Sequence, residues 1–242
     1  MRPDAGVAVA GPTRPAERAA PAGRAQATAA SLAIAGLVPL STCDWPDRLV
    51  ATVFLQGCPW RCGYCHNPAL LDPREPGRLP WSDVTALLAR RAGLLDGVVF
   101  SGGEPTRQAG LLDAVRQVRA AGFGVGLHTA GAYPRRLAAL LPWVDWVGLD
   151  LKAPSGRYDD VTGVPGSARP AFASLRLALD AGVALQVRTT VDPTVLDELE
   201  VARLSALLAG LGVRDHVLQE VRTEGVRPEY AEALARAATA RA

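Results

Sequence analysis

The sequence predicts an α/β fold, a partial (βα)6 barrel built on a parallel sheet, and three observations lead there. Apolar runs of strand length alternate with helical patterns six times along the chain, which is the signature of βα units joined by crossovers. Roughly 200 residues carry this alternation, short of the ~250 of a complete eight-stranded barrel. The residues with chemical potential follow the strand-like runs, where barrels of this kind keep their working groups.

Residues 1–30 are rich in Ala, Pro, Gly and Arg with no periodic apolar face, so they read as a disordered tail, and residues 31–242 as one domain. The run 32–40 suggests an edge strand or hairpin arm, and STCDWPD, residues 41–47, breaks it at Pro46. It is too short for an export signal, holds Gly36 and Pro39, and lacks a small-residue cleavage site. A buried strand over 49–56 comes next, then a helix over 81–95 with Ser82 as its N-cap.

Strand 97–101 leads to a helix over 110–121 closed by Gly122, and strand 125–129 to a helix over 134–141 that stops at Pro142. Strand 146–151 precedes a helix over 171–181 closed by Gly182, and strand 184–191 a helix over 196–211. The sixth strand covers 217–221, and a last helix runs from 228 to about 241.

Composition narrows the chemistry. The 242 residues carry 26 basic and 24 acidic side chains for a net charge of +2, and 49% are hydrophobic. Mixed charge without a basic tract gives no electrostatic support for nucleic acid binding, and no run is long enough to span a membrane. Of four cysteines, three bunch together, which is no disulfide framework and suits the reducing cytoplasm. Lys152 is the single lysine among 25 arginines, which marks a place where a compact ammonium is needed and a guanidinium fork does not fit.

The densest signal is GCPWRCGYCHNP, residues 57–68, where Cys58, Cys62 and Cys65 stand in a C-x3-C-x2-C spacing after an apolar run. Three thiolates can close on one inorganic centre and leave a position open to a ligand. A zinc site would need a fourth donor, and His66, adjacent to Cys65, is poorly placed to reach the same ion. Cys62 to His66 also reads C-x-x-C-H, the haem attachment pattern, which requires export.

With Tyr64 before the last cysteine and HNP after it, this loop resembles the radical S-adenosylmethionine enzymes, and among them the activases of glycyl radical enzymes. SGGEPT, residues 101–106, is similar to their Gly-Gly-Glu motif. Gly102 and Gly103 would let backbone approach a ligand, with Glu104 supplying a carboxylate for the cofactor's ammonium. Thr42, Asp44 and Pro46 match a Thr-x-Asp-x-Pro-Gly stretch of the activases, with Asp47 where glycine is usual. Cys43 reads as a small buried hydrophobe.

LHTAG, residues 127–131, matches the activases' Asp-Thr-Asn-Gly at Thr129 and Gly131 and departs at His128 and Ala130, so His128 reads as structural. GLDLKAP, residues 148–154, sets Asp150 and Lys152 on one face, a pair the family also shows beside its cofactor. In QVRTTVDP, residues 186–193, Arg188 is placed against the cofactor's carboxylate or ribose. LQEVRTEG, residues 218–225, lacks the histidine some activases have there.

The resemblance covers roughly residues 41–225 and is nearest to the activating proteins of anaerobic ribonucleoside-triphosphate reductase. It implies a [4Fe-4S] cluster on Cys58, Cys62 and Cys65 and S-adenosyl-L-methionine beside it, contacted by Tyr64, His66 and the residues above. It further implies reductive cleavage to a 5'-deoxyadenosyl radical that takes a hydrogen from a glycine of a glycyl radical enzyme, with flavodoxin or ferredoxin as electron donor. Alternatives are a small-molecule radical S-adenosylmethionine enzyme such as a carboxy-deazaguanine synthase, and a non-catalytic iron–sulfur or zinc module.

Overall fold

A computed structural model describes residues 27–241. Most of the expected tail lies outside these residues, and its last part does not behave as one: Ala29 is fully buried in a short turn, and its N–H donates to Asp113 Oδ2 at 2.8 Å. The elements are β1 (Ile34–Ser41), β2 (Val50–Leu55), α1 (Trp81–Arg90), β3 (Gly97–Gly102), α2 (Leu111–Ala120), β4 (Gly124–Thr129), α3 (Pro134–Leu140) and β5 (Trp146–Asp150). Then come α4 (Tyr158–Thr162), α5 (Ala168–Ala181), β6 (Ala184–Val191), α6 (Glu198–Gly210), β7 (His216–Glu220) and α7 (Pro228–Arg241).

The strands form one sheet in sequence order, β1 antiparallel to β2 and the other neighbours parallel. The six parallel strands with their helices are the expected partial barrel. β1 adds the hairpin arm at one edge, where Pro39 costs no ladder bond.

Helices cover the sheet through stripes at helical spacing: Val84, Leu87 and Leu88 on α1, Leu111, Ala114, Val115 and Val118 on α2, and Ala171, Leu175 and Ala178 on α5. Strand residues facing them, such as Phe100, Leu127 and Leu149, are fully buried, each contributing about 1.5–3 kcal/mol by its removal from water. Trp81 stacks on Phe100 and donates its indole N–H to Gln117 Oε1 at 2.7 Å.

On the opposite face Gly97 and Gly126 leave room for an aromatic ring. Trp45, from the β1–β2 connection, lies in a slot where Cβ atoms on Gly97 or Gly126 would come within 3.1 and 2.9 Å of its ring, and it stacks on Trp146 at 5.9 Å. Asp47, at the position where the activases have glycine, has φ +60°, the one positive φ outside glycine among the described residues.

Several boundaries differ from expectation. α1 starts at Trp81 as expected, but its N-cap is Pro80, with φ near −77°, so Ser82 sits inside the first turn and caps nothing. The same helix ends at Arg90, before Gly93, and residues 91–94 are turns. α5 begins at Ala168 because Pro170 is tolerated in a first turn. Pro142 does not stop the chain after α3 but continues it as a 3-10 turn, Leu141–Trp143. α6 begins at Glu198, set by a capping box in which Asp197 accepts from Glu200 N–H at 2.7 Å and Glu200 accepts from Asp197 N–H at 3.0 Å. α4 was not foreseen. Among the described residues no helix is long and apolar enough to cross a membrane.

Candidate active site

The C-terminal ends of the parallel strands surround a cavity of about 800 Å³, within the range of small-molecule and cofactor sites. Cys58, Cys62 and Cys65 all line it, and all are free thiols. Their loop has little regular structure and is held by its neighbours. Cys58 N–H donates to Leu71 O at 3.1 Å, Arg61 N–H to Thr162 O at 2.8 Å, and Cys65 N–H to Cys62 O at 3.3 Å. Trp60 meets the Tyr158 ring edge-on at 5.7 Å.

Burial pushes the Cys58 thiol up to about 12 and raises that of Cys62, which Lys152 partly counters. At neutral pH these are thiols, and a metal centre must displace their protons on binding. Among the described residues no three His, Cys, Asp or Glu side chains form a donor set for a single ion. A mononuclear zinc site requires such convergence, whereas a cluster carries its thiolates on separate irons.

The glycine motif presents bare backbone to this cavity. Gly102 has φ +124°, and a Cβ there would run into the backbone N and O of Leu55; one on Gly103 would lie 2.6 Å from Gly57 O and 2.8 Å from Leu70 O. Glu104 departs from expectation. It is fully buried, does not line the cavity, and its carboxylate accepts from Thr106 N–H at 3.0 Å, Thr106 Oγ1 at 2.6 Å, Thr129 Oγ1 at 2.7 Å and Ala130 N–H at 2.8 Å. Burial raises its pKa against the pull of these donors. Thr129 lines the cavity but also spends its hydroxyl on Glu104 and on Gly131 N–H at 3.0 Å. Glu104 therefore ties the ends of β3 and β4 together behind the wall.

A charged group occupies the ends of β5 and β6. Arg188 donates to Asp150 Oδ1 through Nε at 2.9 Å and Nη2 at 2.8 Å, and Lys152 Nζ lies 3.7 Å from Asp150 Oδ2. Lys152 is 8% exposed, donates to Tyr64 OH at 3.4 Å and stands 5.4 Å from the centre of that ring. Burial works against the ammonium charge, but Tyr64, Cys62 and Asp150 outweigh it and hold Lys152 above the ordinary lysine range. Burial likewise acts to raise Asp150, and Arg188 and Lys152 prevail, so it sits below the usual carboxylate range. Tyr64, Asp150, Lys152 and Arg188 all line the cavity, as does His66, whose Nδ1 donates to Glu224 O at 3.1 Å.

His128, read from the sequence as structural, also lines the cavity. Its Nε2 is 2.7 Å from Asp44 O, and a carbonyl only accepts, so the proton is on Nε2 and the Arg188 Nη1 at 3.3 Å is a contact. Burial first, then Arg188, lowers its pKa to about 4. Cys43 is exposed, not buried, and lines the cavity with Asp44. Thr190, Gln219, Glu220 and Arg222 also line the cavity and were missed. Their signal was positional: they sit at the ends of β6 and β7 and carry no motif.

The model of the radical SAM superfamily matches residues 52–205, nearly two thirds of the sequence. The chain belongs to the radical SAM superfamily. It is similar to a Methanocaldococcus jannaschii protein named as a glycyl-radical enzyme activating enzyme, 29% identical over 178 residues that span 69% of this chain and 72% of that one. It is also 31% identical over 154 residues to the pyruvate formate-lyase-activating enzyme of Clostridium pasteurianum, covering 61% of this chain and 64% of the relative. Among solved structures, Streptococcus suis SuiB bound to S-adenosylmethionine superposes with a TM-score of 0.58 at 14% identity over 77% of this chain and 46% of its own. The enzyme anSMEcpe with bound AdoMet does so with 0.54 at 16% over 74% and 56%. These structures share the superfamily fold.

The donor set suits what that membership implies. Three free thiols on one loop, two bare glycines and a lysine–carboxylate–arginine group all open into one cavity, giving soft ligands for iron and polar partners for a zwitterionic ligand.

Proposed function

We propose that this protein activates a glycyl radical enzyme, with a [4Fe-4S] cluster on Cys58, Cys62 and Cys65 and S-adenosyl-L-methionine held beside it. The observation that carries the reading is the convergence of the three cysteines, Gly102, Gly103 and the Asp150–Lys152–Arg188 group on one cavity at the strand ends. The relatives named as activating enzymes support the partner class. When both groups are bound, they supply one-electron cleavage of the sulfonium carbon–sulfur bond and with it a hydrogen-atom abstractor.

The chain's own task is position and dryness. Gly102 and Gly103 leave backbone as the inner wall, Lys152 offers its ammonium to the ligand's carboxylate, and Asp150, steadied by Arg188, accepts from hydroxyl or ammonium groups. Six strands leave the barrel open along one side, where a glycine loop of a protein substrate can enter. Anaerobic ribonucleotide reductase is the substrate we favour, with flavodoxin or ferredoxin as reductant in the cytoplasm.

Anaerobic reconstitution with iron and sulfide, then dithionite and S-adenosylmethionine, is expected to yield 5'-deoxyadenosine, and Cys62→Ala to abolish it. An electron paramagnetic resonance doublet on co-incubated anaerobic reductase identifies the partner. A fully loaded cluster with no product, with or without that partner, would remove the proposal.

A further inference from the structure

The segment after β7 touches the cysteine loop at three places. Glu224 O accepts from His66 Nδ1, and the backbone of Gly225 comes so close that a Cβ there would be 2.6 Å from His66 O. Arg227 Nη2 donates to Arg61 O at 3.3 Å and to Cys62 O at 3.4 Å. Tyr230 covers Gly63, where a Cβ would stand 2.7 Å from the ring, and the Tyr230 hydroxyl donates to Asp192 Oδ1 at 2.7 Å. Asp192 is 1% exposed and is itself fixed by Thr194 N–H and Oγ1.

Gly63, Asp192, Arg227 and Tyr230 do not line the cavity, so they touch nothing that it holds and act through the loop, save that the charge of Arg227 also reaches past it. That loop lies between β2 and α1 with no strand or long helix of its own; its shape comes from outside contacts. A cation beside a cluster favours the state with one more electron, and hydrogen bonding near cluster ligands tunes potential.

We propose that Asp192, Arg227 and Tyr230 form a latch of positioning residues that keeps the cysteine loop in its cluster-bearing shape, with Arg227 also raising the cluster's reduction potential. Tyr230, anchored on the buried Asp192, sets where the first turn of α7 sits against Gly63. Arg227 then pins the carbonyls of Arg61 and Cys62. The proposal rests on reading Cys58, Cys62 and Cys65 as cluster ligands.

The test is made on the full chain, loaded anaerobically with iron and sulfide, as wild type, Arg227→Gln, Arg227→Lys, Tyr230→Phe and Cys62→Ala. Iron and sulfide per chain, the rate of iron loss to a chelator, and the midpoint potential from a dye-mediated titration are measured, with far-ultraviolet circular dichroism confirming the fold. Tyr230→Phe is expected to lose iron severalfold faster at unchanged potential. Arg227→Gln is expected to lose iron faster and to have a more negative potential, and Arg227→Lys to keep the potential while losing iron faster.

Wild-type retention in both Tyr230→Phe and Arg227→Gln overturns the latch, and an unmoved potential in Arg227→Gln overturns the electrostatic role. Wild-type protein that takes up no cluster, or Cys62→Ala that takes up as much, is a distinct result that instead removes the ligand assignment.

Discussion

Glu104 is the place where the structure and the motif ask for different experiments. If its carboxylate reached into the cavity to hold an ammonium, Glu104→Gln would weaken ligand binding and leave the fold alone. The geometry gives the opposite order. Oε1 accepts three hydrogen bonds and Oε2 one, from Ala130 N–H. The less costly amide orientation puts its NH2 at the Oε2 position, where it faces Ala130 N–H and leaves that buried donor unpaired.

A lost hydrogen bond to a charged group is worth about 1.5–3 kcal/mol. Removing the charge also returns part of the burial cost that raises this carboxyl's pKa, so the expected loss for Glu104→Gln is about 2 kcal/mol. Glu104→Ala orphans the N–H groups of both Thr106 and Ala130 and opens a void, for about 4 kcal/mol. Urea unfolding of the metal-free chain followed by circular dichroism measures both. A Glu104→Gln midpoint equal to wild type, together with lost S-adenosylmethionine binding, would refute this account and restore the carboxylate to the cavity.

Three further outcomes are expected. Folded His128 declines a proton until about pH 4 while the unfolded chain accepts one near 6.5, so its contribution falls as pH drops through that window. Between pH 7 and 5, His128→Gln should therefore lose about 2 kcal/mol less stability than wild type, and parallel pH profiles in urea melts would contradict this. A methyl on Gly103 meets two backbone carbonyls, of Gly57 and Leu70; Gly103→Ala should displace the turn into Cys58 and reduce iron per chain after reconstitution. Lys152→Met should weaken S-adenosylmethionine binding by about 1.5–3 kcal/mol in calorimetry, with Lys152→Arg failing to restore it because the space between Tyr64 and Asp150 suits one ammonium; wild-type affinity in either variant would count against this role.

The fold was largely legible because each βα unit writes its own periodicity. Buried parallel strands read as apolar runs, and the stripes on α1, α2 and α5 repeat at helical spacing. Errors gathered at helix ends, where one proline or cap outweighs pattern: Pro80 took the N-cap expected of Ser82, and the Asp197–Glu200 box set α6 although its D-x-x-E was in plain view. At the site, cysteines and glycines were legible because few other residue types serve those purposes. Glu104 was legible as important but not in its direction, since a carboxylate serves a ligand or a loop equally well. Gln219 and Arg222 reach the cavity through tertiary placement alone, and no local pattern announces that.

The hairpin arm has a meaning that the repeat count hides. Six βα units make a trough open at both ends. Trp45 in its glycine slot, and the Asp44 carbonyl held by His128, close one end from below. A truncated chain starting at Val50 would keep every parallel strand and yet hold its contents like a cup without a base. Its ligands would meet solvent from two directions, and reactive species formed inside would have a second way out. Segments outside the repeat can thus decide whether a trough serves as a vessel.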